Sequence, residues 1–170
     1  MTVEEKFYIL VMDEIRAQPG LTRELGFDLE GYAQTFCGCP LDQALTRLDQ
    51  RGPCAGGLGF TAVDKLGPQP AGAARGVGAI RHRQGDLSYD GLCRGALLNL
   101  LWRDRARAEE KINLAKYLRD DWAFAHYLYG LLRGVDGDVG KAHFELYLAI
   151  NRETFACAKQ RIDRALSLVR

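Results

Sequence analysis

The sequence predicts a mainly α-helical protein in three parts. Apolar residues recur at three- and four-residue spacing on both sides of the chain's centre. Capping residues stand where those stripes begin. Between them runs a glycine- and proline-rich belt, from Gly52 to about Gly95, that holds more than half of the 19 glycines. The expected divisions are an N-terminal three-helix unit over 1–52, a loop with at most short strands over 53–87, and a C-terminal helical bundle over 88–170. A chain of 170 residues suffices to bury a core without disulfides or metals.

The first helix is expected over Thr2–Ala17, with Thr2 and Glu5 as a capping box, Phe7, Leu10, Val11 and Ile15 as its apolar stripe, and Pro19-Gly20 as its stop. Asp28 caps a second helix that runs to about Phe36. Cys37-Gly38-Cys39 makes a turn, and Pro40 opens a third helix carrying Leu41, Ala44, Leu45 and Leu48. Within the belt, Leu58, Phe60 and Val63 suit a short strand, as do Val77, Ala79 and Ile80. Gly67–Gly76 is loop by composition.

Ser88 or Asp90 opens the C-terminal half. Leu92, Cys93, Ala96, Leu97, Leu98, Leu100 and Leu101 are apolar nearly all round, which predicts the central helix. Arg103–Arg119 is charged, with Arg105 and Glu109 spaced for an ion pair on one helix face. Asp120 or Asp121 is expected to cap the next helix and Asp138 the one after it, with a break near Asn151. Phe155, Ala158, Ile162, Ala165, Leu166 and Val169 give a last stripe.

Two stretches carry resemblances. PGLTRELGFDLEGYAQTF, then CPLDQALTRLDQRG, then the glycines resemble a winged helix-turn-helix over about 5–65. That resemblance implies a DNA-binding regulator with the belt as wing. Its recognition helix would present Asp42 and Asp49, which repel phosphate, whereas DNA readers bring Arg or Lys there. AFAHYLYGLLRGVDGDVGKAHFELYLA resembles a helix-turn-helix unit of the tetratricopeptide or Sel1 kind. No second copy follows, so it predicts one antiparallel hairpin in which Ala125, Gly130 and Ala142 allow close crossing.

Composition narrows function. The formal net charge of +1 argues against a broad basic surface for nucleic acid or acidic membranes. No apolar run reaches the ~18 residues of a membrane span, and MTVEEKF lacks a basic leader. These features predict a cytoplasmic protein, and the Arg-, Ala- and Gly-rich usage suggests a bacterial one. An odd number of cysteines, five, argues against a disulfide framework.

The candidate sites are few. Arg75, Arg81, His82 and Arg83 form the one local basic cluster, in a glycine-rich setting suited to an anionic group. Gly76-x-Gly78 lacks the remaining glycine of a dinucleotide loop. Tyr127 and Tyr147 are expected off the core stripes, where tyrosine beside arginine suits partner binding. Cys37, Cys39 and Cys54 are the candidate metal ligands, poorly spaced for a four-ligand zinc site. Cys93 with a histidine base has no local signature, and His126 among Trp122, Phe124 and Tyr129 reads as a hydrogen-bonded core histidine. The expectation is a non-catalytic protein-binding module, an adaptor, accessory subunit or immunity-type inhibitor, with no cofactor and dimerisation open. The alternatives are the winged-helix regulator and a small cysteine- or metal-dependent enzyme.

Overall fold

The computed structural model describes residues 1–18, 20–26, 28–48 and 87–170. Among these residues the fold is wholly helical, with no strand. The proposed strands and the wing lie outside them.

Helix α1, Val3–Ala17, begins on the expected capping box: the Thr2 hydroxyl accepts from the Glu5 amide at 3.2 Å, and the Glu5 carboxylate accepts from the Thr2 amide at 2.8 Å. A short α2, Leu21–Leu25, was not foreseen. It lies between two glycines in the left-handed region, Gly20 at φ +73° and Gly26 at φ +58°, which start and stop it. Asp28 caps α3, Leu29–Cys37, as expected, and Gly38 ends it. Helix α4, Leu41–Leu48, starts one residue after Pro40, whose carbonyl takes the first helical bond from Ala44.

The C-terminal half contains α5, Tyr89–Leu101; α6, Arg105–Leu118; α7, Ala123–Val135; α8, Val139–Arg152; and α9, Ala156–Ser167. Ser88, Asp104 and Asp138 cap α5, α6 and α8 with their side chains. Trp122, not Asp120 or Asp121, occupies the N-cap of α7. Asp121 is instead paired with Arg119 at 2.9 Å, and the Asp120 carbonyl serves His126 and Arg152. The break expected near Asn151 follows Arg152, where α8 ends.

The hydrophobic centre is α7 rather than α5. Eleven of the thirteen α7 residues are buried, against seven of thirteen in α5. The difference follows from packing: α7 touches α1, α5, α6 and α8. Helix α1 is also buried on more than one stripe, from Phe7 through Met12, because α3, α4, α5 and α7 surround it. Helices α7 and α8 form the expected hairpin. Gly137, at φ +79°, reverses the chain, and the Asp138 amide bonds back to the Arg133 carbonyl at 2.9 Å. Gly130 lies against Leu146 of α8, and Gly134 lies against the Phe7 ring of α1. A side chain at either position would push the helices apart.

Ion pairs fasten α9 to α1. Arg161 reaches the fully buried Glu14 at 2.6 Å, and Arg164 reaches Asp13 at 2.6 Å. Arg16 extends the network from Asp13 to Asp42 of α4, at 2.9 and 2.6 Å. Charged groups removed from water persist only when paired this way.

Candidate functional site

The outer face of α8 presents the most concentrated exposed aromatic surface of the hairpin. Ala142, Leu146 and Ala149 are its buried stripe. Residues on the opposite side, at helical spacing from one another, are Gly140, His143, Phe144, Tyr147 and Asn151, all exposed. Phe144 and Tyr147 stand three residues apart with 60% and 55% of their surface in solvent. No neighbouring atom lies within 4 Å of where a Gly140 side chain would begin, so the face is open beside the rings. On α6, Tyr117 is 87% exposed.

A polar brace lies beneath this face. Glu145, between the two aromatics in sequence, turns inward and is largely buried. Its carboxylate lies 3.2 Å from His126 Nδ1 and 3.6 Å from Lys116 Nζ. The His126 ring is buried, and its Nε2 lies 3.0 Å from the Asp120 carbonyl. Both ring nitrogens therefore face oxygen. Burial pushes the Glu145 carboxyl up, but the His126 hydrogen bond and the Lys116 and His126 charges outweigh it, and the net shift is downward. One carboxylate thus joins α6, α7 and α8. Arg152 adds a hydrogen bond from α8 to the same Asp120 carbonyl at 3.1 Å.

A second brace ties α6 to α7. Glu109 accepts from the Tyr129 hydroxyl at 2.8 Å and from Arg133 at 2.8 Å. Arg105 pairs with Asp136 at 2.7 Å, not with Glu109 as its spacing suggested. Both α6 residues find partners on α7 and its C-cap because that side of α6 packs on α7. Lys116 also sits over the Tyr129 ring, 4.7 Å from its centroid. The aromatic face of α8 therefore rests on helices joined by ion pairs and hydrogen bonds.

The sequence-derived candidates fall in different places. Arg75, Arg81, His82, Arg83 and Cys54 lie outside the described residues. Tyr147 is on the exposed face of α8. Tyr127 is not off the core stripe: it is fully buried between α1 and α9 residues, beside Glu14. Burial and then the Glu14 charge push its phenol well above the ordinary range. Helix α7 is surrounded, so both of its sides are core. Cys37 and Cys39 are free thiols near one another, and among the described residues no three His, Cys, Asp or Glu side chains are grouped to hold a metal. Cys93 is fully buried. Burial, and then Asp90, hold its thiol well above its usual range, the opposite of an activated nucleophile. Cys157 is disulfide-bonded, although the odd cysteine count argues against a disulfide framework. Phe144 was visible as an aromatic, but its position relative to Tyr147 gained meaning only with the buried side of α8 assigned.

Among the described residues no helix is long and apolar enough to cross a membrane. No family model matches the chain, and no solved structure matches it. It is similar to an alcohol dehydrogenase of Geobacillus stearothermophilus, 27% identical over 153 residues. That match covers 85% of this chain but 43% of the relative, so the chain spans less than half the length of the protein it resembles.

Proposed function

We propose that the protein is a non-catalytic protein-binding module and that the outer face of α8 is its contact surface. The observation that carries this reading is the pair Phe144 and Tyr147, both more than half exposed on one face of a helix whose other face is fully packed. Large rings left in water at adjacent helical positions suit an anchor for a partner's apolar pocket, with the braced support reducing the entropy lost on binding. His143 and Asn151 supply a polar border on the same face. The partner class that fits is another protein offering an apolar groove.

The likeness to an alcohol dehydrogenase favours an enzymatic alternative, and alcohol turnover by the purified chain would support it. The DNA-binding alternative is weakened at α4. Asp42, near the start of that helix, is exposed at 82% of its side chain despite its bond to Arg16, and would meet phosphate with like charge.

The test is affinity capture from an extract of the native host, comparing the wild-type chain with Phe144→Ala/Tyr147→Ala. Retention of a defined protein by the wild type and its loss in the variant supports the reading. Equal retention by both removes the α8 face from it.

A further inference from the structure

We propose that Cys37 and Cys39 form a redox-active thiol pair, which a low-molecular-weight disulfide oxidises to an intramolecular disulfide. The two cysteines flank Gly38, which ends α3 in the left-handed region at φ +71°, ψ +13°. Two peptide units span at most about 7 Å even when extended. The turn at Gly38 shortens that reach toward the ~4.4–6.8 Å Cα separation a disulfide accepts. Both sulfurs are free thiols. Cys37 is half-buried, so a small disulfide can reach it, whereas Cys39 is buried. Apart from its two chain neighbours, no atom lies within 4 Å of the Cβ position at Gly38, so that side of the turn is open. Burial first, and then the neighbouring Cys39, raise the Cys37 thiol, with Arg47 opposing them, so its attack on a small disulfide speeds up as pH rises.

The surroundings divide the roles. Arg47 of α4 points Nη1 at Cys39 Sγ, 3.8 Å away, a cationic donor for the sulfur that must carry negative charge in the second step. In the first step the deprotonated Cys37 sulfur attacks one sulfur of the small disulfide. A Cys37–sulfur bond forms, the original bond breaks, and one small thiolate leaves. In the second step the deprotonated Cys39 sulfur attacks Cys37 Sγ. The intramolecular bond forms, the mixed bond breaks, and the second small thiolate departs. The two protons released by the cysteines end on the two small thiols. The cysteines are oxidised by two electrons and the small disulfide is reduced by two. The product ties the end of α3 to the residue that leads into α4.

The experiment equilibrates the full-length protein in buffers of varied oxidised-to-reduced glutathione ratio, quenches in acid, alkylates free thiols and digests with trypsin. One peptide, Glu24–Arg47, contains both cysteines and no other. The expected oxidised product is that peptide two hydrogens lighter than its dithiol form and free of alkyl groups. In Cys39→Ser the same peptide should instead carry one glutathione on Cys37. A wild-type peptide that takes two alkyl groups at every ratio, or that carries glutathione with no internal disulfide, overturns the proposal. The wild-type measurement needs no variant to fold.

Discussion

At the scale of single residues, burial sets which groups the fold depends on. Glu14 is removed from water and held by Arg161, so removing one partner strands the other's charge. Glu14→Gln or Arg161→Met is expected to cost about 3–5 kcal/mol in urea denaturation. The double change Glu14→Leu/Arg161→Met should recover much of that loss, because a packed apolar pair replaces the ions. A double variant no more stable than either single one contradicts this account. Asp13 gives the pH dependence. Burial raises its carboxyl, but the charge and hydrogen bond of Arg164 outweigh burial and leave it lowered. Glu145 is lowered as well, whereas burial raises the fully buried Glu14, which acts in the opposite sense. A carboxyl whose folded pKa lies below its unfolded value contributes stability above the unfolded value, about 4. That contribution is lost as pH falls through the folded value. Asp13's share of the melting temperature should therefore be lost on acidification below about pH 4, so the acid limb is less steep in Asp13→Asn than in the wild type. An unchanged acid limb in that variant would show that Asp13 carries none of it.

At the scale of elements, the close crossings of α7 explain why it holds glycines despite their helix cost of about 1 kcal/mol. Gly130 meets Leu146, and Gly134 meets the Phe7 ring. Gly134→Ala should destabilise by about 1–3 kcal/mol through overpacking, more than alanine's helix propensity returns. Stabilisation in a thermal melt would contradict the crossing. The outer face of α8 should behave oppositely. Phe144→Ala and Tyr147→Ala should each change stability by no more than about 0.5 kcal/mol, since both residues are more than half exposed. Much of the element pattern was readable in advance. Thr2, Asp28 and Asp138 cap the helices they were expected to cap, and Ser88, one of two residues expected to open α5, caps it, because a side-chain oxygen beside an apolar stripe is a local signal. Pairings between elements were not readable. Arg105 and Glu109 are spaced to bond each other, yet each bonds across to α7 or its C-cap, where the partner is less exposed to water.

At the scale of the whole molecule, α1 and α7 form the buried axis, and α9 closes on α1 through two arginine–carboxylate pairs. The centre was misplaced in the sequence because α5 looks apolar all round, whereas α7 hides His126 and Tyr127 in its core. The Tyr127 hydroxyl suggests an exposed side until Glu14 is seen beside it, whereas His126 reads as a core histidine from the sequence and is one. The binding face was half legible: Tyr147 stood out, but Phe144 joined it only once α8 had an inner and an outer side. The whole assembly thus holds an aromatic helix face in water on a braced three-helix support. The most direct measurement of its role is binding of the captured host protein, titrated against the wild-type chain and against Phe144→Ala/Tyr147→Ala of matched melting temperature. The account predicts a loss of at least about 2 kcal/mol, roughly thirtyfold in affinity, in the double variant. Equal affinity in the two proteins would contradict it.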